Sequence, residues 1–309
     1  MGPQLDTDEV LFAKGSKRMS FKLPQDTWTR PVVILGAGTL GRRMALMLAT
    51  QGAEIRLYDP NAEVRTAGVD YAMSELPGVL EKQVKDGKAG VVVPFDDLAK
   101  ALKDAWLVIE AVPENLDLKK TIFKQLDELV EPDAILATNS SSYASSNLVG
   151  SVTHPERLLN MHFLMPPRST PVELMSCGRT DPAVIKLLAD ALPAYGLTPY
   201  IVERESTGFI FNRIWAAIKR EALAVVAEGV AKPEVVDAIY AQAMGLSRGP
   251  CSLMDGVGLD VVLDIEEHYA EERKGLPEGP RLLLKKMVAE GRLGVKSGRG
   301  FFEYPSTNN

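Results

Sequence analysis

Residues Pro31-Val32-Val33-Ile34-Leu35 form a short, unbroken apolar run rich in β-branched side chains, and it stops at Gly36-Ala37-Gly38. A run of this length bounded by glycine predicts a strand buried on both faces, and the helix formers of 42–50 predict a helix after it. Gln51-Gly52 closes that helix, and Glu54-Ile55-Arg56-Leu57-Tyr58-Asp59 alternates polar and apolar up to Pro60, which predicts a second strand. The chain therefore opens with a βαβ unit. Further apolar runs at 106–112, 134–137 and 158–163 each neighbour a helical stretch, so several parallel strands are expected.

The pattern changes near Ser206. Residues 209–228 repeat apolar positions at helical spacing through Ile210, Ile214, Trp215, Ile218, Leu223 and Val226. Lys232-Pro233 starts another helix, with 259–273 and 281–290 as two more before a glycine-rich segment at 291–300. The expected architecture is an α/β, Rossmann-type, doubly wound and mainly parallel sheet over 31–205, then an all-α domain over 206–309. Glu203-Arg204-Glu205-Ser206-Thr207-Gly208 forms a polar link, and residues 1–30 read as an N-terminal arm.

The 309 residues suit two domains, and 35 basic against 41 acidic side chains give a net charge of -6. That balance argues against nucleic acid or an anionic membrane surface as a partner and leaves a small molecule as the expected ligand. The two cysteines, Cys177 and Cys251, lie in neither CxxC nor Cys/His metal spacing, so no metal is expected. No run reaches the roughly 18 apolar residues of a membrane span. With no secretory, transit or peroxisomal signal in view, the expected location is the cytoplasm.

Gly36-Ala37-Gly38-Thr39-Leu40-Gly41 is a GxGxxG set between strand and helix, the context in which that motif binds a dinucleotide. Gly36 permits the tight turn, Gly38 lets backbone N–H groups of the Thr39-Leu40 segment approach a pyrophosphate, and Gly41 allows close packing of helix on strand. Asp59, at the end of the second strand, falls where a carboxylate would bind ribose hydroxyls. Its charge disfavours a 2′-phosphate, so NAD is expected over NADP. Arg65 is the nearby cation that runs against this choice.

Hydride transfer from a secondary alcohol needs a base, and histidine has a suitable unperturbed pKa. Of the three histidines, His154 precedes a proline and His268 lies in an acidic helical stretch, whereas His162 falls at a predicted strand end. Ligands of open α/β sheets gather beyond strand ends, so His162 is either the base or a buried structural histidine.

Together with the glycine motif, Glu110-Ala111-Val112-Pro113-Glu114-Asn115, Thr138-Asn139-Ser140-Ser141-Ser142, His162-Phe163, Pro171-Val172-Glu173-Leu174, Gly208-Phe209-Ile210-Phe211-Asn212-Arg213 and Gly294-Val295-Lys296-Ser297-Gly298 resemble the 3-hydroxyacyl-CoA dehydrogenase family. The resemblance runs from about Pro31 to Tyr304. It implies NAD as cofactor, a homodimer formed through the C-terminal domain, and interconversion of a 3-hydroxyacyl substrate with its 3-keto form. It also implies that His162 takes the hydroxyl proton, that Glu173 fixes the imidazole, and that Ser141 and Asn212 hold the reacting oxygen. Glu114, Lys119, Asn139 and Lys296 match positions that contact NAD.

Three features depart from the family. Met165 stands where an asparagine is usual, the stretch from His162 to Glu173 is one residue short, and Arg168 is an added cation that is either solvated or a partner for a substrate anion. Residues 64–80 carry only Arg65 where the family has lysines for coenzyme A, although Lys82, Lys85 and Lys88 form a small basic group nearby. The substrate is therefore a CoA thioester or a free hydroxy acid of the L-gulonate or carnitine type. A noncatalytic NAD-binding protein on the same fold is the third reading.

Overall fold

A computed structural model describes residues 21–305, which divide between Thr207 and Gly208 into two compact units. The N-terminal unit alternates strand and helix: β1 (Val32–Leu35), α1 (Thr39–Leu48), β2 (Glu54–Tyr58), α2 (Ala62–Lys82), β3 (Val91–Phe95), α3 (Leu98–Leu102), β4 (Leu107–Glu110), α4 (Leu116–Leu129) and β5 (Ile135–Thr138). It continues through β6 (Leu158–Met165), β7 (Ser169–Ser176), α5 (Pro182–Ala191) and β8 (Thr198–Val202).

The eight strands form one sheet in the order β3-β2-β1-β4-β5-β6-β7-β8, and the chain reverses direction across it between β1 and β4. Every pairing is parallel except β6 with β7. Reversal of strand order between β1 and β4 opens a crevice beyond their carboxyl ends, the usual ligand position in such sheets. All residues of β1, β4 and β5 are buried, because helices cover both faces. On one face α1, α2 and α5 close a core containing Ile34, Met44, Leu57, Leu76, Phe163 and Leu188. On the other, α3 and α4 close one containing Val33, Leu102, Phe123 and Leu136.

Local chemistry sets the helix starts. Asn61 caps α2 by accepting from the N–H groups of Glu63 and Val64, Asn115 caps α4 from Leu118, and Asp181 caps α5 from Ala183. Region 62–90 contains a single 21-residue helix before β3. Residues 21–30, read from the sequence as the end of an arm, pack onto this unit: Phe21 and Leu23 rest on the core, and Arg30 forms a bidentate pair with Asp133 at 2.7 and 2.9 Å. The rest of that arm, residues 1–20, lies outside the described residues.

The C-terminal unit is helical, with α6 (Phe211–Ala227), α7 (Pro233–Met244), α8 (Pro250–Val257), α9 (Leu259–Glu272) and α10 (Gly279–Ala289). Leu223, Cys251, Met254, Leu259, Val262 and Leu284 form its core. Helix α8 is an addition to the sequence reading, being only eight residues long and opened by Gly249-Pro250 without a long amphipathic pattern. Among the described residues, no helix is long and apolar enough to cross a membrane.

Candidate active site

The glycine turn joins β1 to α1 and is shaped to hold something other than a side chain. Gly36 has φ +101°, and a Cβ there would lie 2.5 Å from the Ala111 carbonyl oxygen. A Cβ on Gly41 would collide with the Gly36 carbonyl, whereas Gly38 faces open space. Helix α1 takes Gly38 as its N-cap with no side-chain cap, so an anion can use the helix N-terminus formed by Thr39, Leu40 and Gly41. At the end of β2, Asp59 accepts from the Ala37 N–H at 2.9 Å and the Asn61 N–H at 2.9 Å, which ties its carboxylate to the turn. The residues fit a dinucleotide. Arg65 donates to the Asp59 carbonyl at 2.5 Å and so stands behind the carboxylate.

A buried polar network lies at the carboxyl ends of β4 and β5. Glu110 closes β4 and is fully buried; it accepts from Lys119 Nζ at 2.7 Å, from the Val112 N–H at 2.8 Å and from Thr138 Oγ1 at 2.6 Å. Lys119 is buried as well and reaches Glu114 at 3.1 Å. Glu114 in turn accepts from Ser140 Oγ at 2.5 Å and the Ser142 N–H at 2.9 Å. Burial pushes the Glu114 carboxyl up, but Lys119, Ser140 and Ser142 outweigh it and hold the group below the usual carboxylate range. Glu114 and Lys119 thus brace the loop that carries the exposed Ser141. The signal for Glu110 in the sequence is a charged residue that ends an apolar strand.

His162 stands in β6, two residues beyond Asn160, the last residue paired with β5. Strand β6 runs on to Met165, so His162 lies within an extended strand rather than at its end, while still projecting past the β5 ladder. Its cross-strand partner in β7 is Glu173, with imidazole Nδ1 2.8 Å from carboxylate Oε2. The register shift falls between Phe163 and Met165, so the shortened stretch is absorbed on the turn side of this pair. Asn139 accepts from the Phe163 N–H at 2.9 Å and binds the loop after β5 to β6. Arg168 is exposed on the turn 166–168.

Asn212 and Lys296 belong to the C-terminal unit. Asn212 is half-buried in the first turn of α6, and Lys296 pairs with Asp260 at 2.6 Å.

Comparison with known proteins agrees with this organisation. Residues 31–206 match the family of the 3-hydroxyacyl-CoA dehydrogenase NAD binding domain, and 208–304 that of the corresponding C-terminal domain. The chain is 31% identical over 281 residues to 5-formyl-3-hydroxy-2-methylpyridine 4-carboxylate 5-dehydrogenase of Mesorhizobium japonicum, covering 89% of this chain and 91% of the relative. It is 33% identical over 281 residues to a probable 3-hydroxybutyryl-CoA dehydrogenase of Bacillus subtilis, covering 89% and 97%. Among solved structures, (S)-3-hydroxybutyryl-CoA dehydrogenase PaaH1 of Ralstonia eutropha superposes with a TM-score of 0.80 at 30% identity, covering 90% of this chain and all of that one. The chain accordingly belongs to the 3-hydroxyacyl-CoA dehydrogenase family, NAD-dependent oxidoreductases that act on a CH–OH group.

Proposed function

We propose that this enzyme interconverts a 3-hydroxyacyl thioester of coenzyme A and its 3-keto form. The observation that carries the reading is the buried His162–Glu173 pair beyond the β5 ladder, on the same sheet edge as the dinucleotide turn. Bound NAD supplies the hydride acceptor. With Nδ1–H donated to Glu173, the neutral imidazole presents Nε2 as an acceptor for the substrate hydroxyl proton. As that proton arrives, the Glu173 carboxylate stabilises the imidazolium. Ser141 donates to the substrate oxygen while it carries developing negative charge, and Asn139 keeps the loop of Ser141 against β6. The carbinol carbon gives up a hydride, the oxygen gives up a proton, and a carbonyl remains. The names of the Bacillus and Ralstonia relatives support a 3-hydroxyacyl thioester as substrate.

A second reading substitutes a free hydroxy acid, and the observation in its favour is Arg168, exposed on the turn that follows the histidine strand. The Mesorhizobium relative is named for a substrate with a free carboxylate. The deciding experiment follows NADH absorbance with L-3-hydroxybutyryl-CoA beside free L-3-hydroxybutyrate, L-gulonate and L-carnitine, with His162→Ala as control. Turnover of the thioester alone supports the first reading; turnover of a free acid alone overturns it; NAD binding with no turnover at all points to a noncatalytic role.

The protein is further proposed to act as a homodimer through its C-terminal unit. Val235 and Ile239 on α7 are well exposed, and with Ile218, Val225 and Tyr240 they outline an apolar groove. An exposed apolar patch of this kind marks an interaction surface.

A further inference from the structure

The first turns of α1 and the β6–β7 turn, joined through Arg43 and Pro166, carry three arginines that form no ion pair among the described residues. Arg43 Nη1 donates to the Pro166 carbonyl at 3.2 Å, so the guanidinium is fixed to the turn that carries Arg168. The Arg42 and Arg43 guanidinium carbons lie 4.5 and 5.4 Å from the centre of the Tyr71 ring, on α2. Stacking on an aromatic face orients a guanidinium while leaving its N–H edge available for a bidentate anion. The Nε atoms of Arg42 and Arg43 are buried and make no hydrogen bond. None of Arg42, Arg43 and Arg168 forms an ion pair among the described residues, in a protein whose net charge is -6. Two guanidiniums stacked on one ring repel each other, and an anion held between them and the turn of Arg168 would relieve that repulsion.

Distance selects the anion. Met165 is three residues beyond His162 along β6, which at about 3.3 Å per residue places the turn roughly 10 Å or more from the reacting centre. A free 3-hydroxy acid carries its carboxylate only two carbons from the carbinol, so it meets this turn only through the length of the Arg168 side chain. A phosphopantetheine arm is as long as about four extended residues and ends in phosphate, roughly 15 Å from its sulfur when extended. We propose that Arg42, Arg43 and Arg168 form an anion subsite that takes the phosphate end of the substrate's thioester arm. This inference rests on the thioester reading above and supplies, from α1 and the β6–β7 turn, the cations that 64–80 lack. The phosphate is that of coenzyme A or of a carrier-bound arm, and Arg168 supplies the cation nearest the histidine strand.

Two measurements test it. In the first, kcat and KM for NADH-dependent reduction of acetoacetyl-CoA are compared with those for the N-acetylcysteamine thioester, which lacks phosphate, in wild type, Arg43→Met and Arg168→Met. Loss of one charge-assisted contact predicts a fall of about tenfold in kcat/KM for the CoA thioester, seen in KM, and a several-fold smaller fall for the truncated thioester. Acetoacetyl-phosphopantetheine, with its single phosphate, separates the sources: arginine dependence retained there points to a carrier-bound arm, and dependence confined to the CoA thioester points to the nucleotide phosphates. Equal falls on long and truncated thioesters overturn the subsite, and a rise confined to the KM for NADH assigns these arginines to the dinucleotide instead. The second measurement is calorimetric binding of coenzyme A alone, which does not depend on turnover. Binding weakened about tenfold by Arg168→Met supports the subsite even where no thioester is reduced; absence of binding to the wild-type protein overturns it. Arg168 is exposed on a turn, so its substitution leaves folding intact.

Discussion

His162 Nδ1 and Glu173 Oε2 lie 2.8 Å apart across the single antiparallel pairing of the sheet, with the two residues directly opposite and each less than 5% exposed. Every neighbouring connection is parallel and needs a crossover, so two side chains close in sequence could be placed face to face only here. The hairpin makes the orientation of the imidazole a property of strand register. Because the irregularity lies between Phe163 and Met165, a one-residue change in the turn does not reach the pair.

Removal of either partner is expected to act on kcat. General-base catalysis contributes roughly 10²–10⁴-fold, so His162→Asn should lower kcat by that amount with the NAD affinity unchanged. Glu173→Gln keeps the shape but loses the charge that stabilises the imidazolium, and should lower kcat by about 10². Steady-state kinetics with the thioester and direct titration of NAD check both; an unchanged kcat in either variant would remove the pair from the mechanism.

Cofactor choice turns on Asp59 and Arg65. The Asp59 carboxylate is held by two backbone N–H groups at the end of β2, and Arg65 is anchored to the carbonyl of the same residue. Asp59→Ser should therefore raise the KM for NAD about tenfold and expose Arg65, so that NADP is used measurably. The ratio of kcat/KM for the two cofactors is the readout, and a variant still confined to NAD would show that Arg65 does not face the ribose.

Much of this was legible in the sequence because its signals are local. The glycine motif, Asp59 and the βαβ opening depend on neighbours within about thirty residues, and the structure places the motif between β1 and α1 and Asp59 directly after β2. The strands β3, β7 and β8 were not assigned from pattern: Val91-Val92-Val93-Pro94-Phe95 contains a proline, tolerable because β3 is an edge strand, and Thr198-Pro199-Tyr200 opens the opposite edge in the same way. The pairing of Glu110 with Lys119 is hidden for a different reason. Their contact spans nine residues between a strand end and a helix, and Lys119 reads as a surface residue of an amphipathic helix until the fold buries it. The stacking of Arg42 and Arg43 on Tyr71 joins two helices and has no signature in either.

That buried network makes a stability prediction. Lys119→Met would leave Glu110 charged, fully buried and short of its cation, a change that costs roughly 3–5 kcal/mol. The pH dependence has a definite sign. Glu114 titrates lower in the folded protein than in the unfolded chain, so its contribution is present above the unfolded carboxylate range and is lost as pH falls through the depressed folded value. Without Lys119 the depression shrinks, and acid unfolding should begin at higher pH. Urea unfolding at neutral pH and an acid titration followed by circular dichroism test the two parts; a variant with wild-type behaviour in both would mean that the ion pair is not formed.

The last prediction concerns assembly. Ile239 is two-thirds exposed on α7 one turn from the exposed Val235, with which it lines the apolar groove, and burial of such side chains is worth about 25 cal/mol per Å² of apolar surface. A charge placed at the centre of that groove would have to be desolvated without a partner for two copies to close over it. Ile239→Glu should therefore convert a dimer to a monomer in sedimentation velocity, while Lys186→Glu, on the exposed surface of α5, should not. Because Ile239 is exposed, the substitution spares the core formed by Leu223, Met254 and Leu284, and thermal unfolding of the variant at low concentration should match the wild type. A wild-type chain that sediments as a monomer, or an Ile239→Glu variant that stays dimeric, would place the interface elsewhere or nowhere.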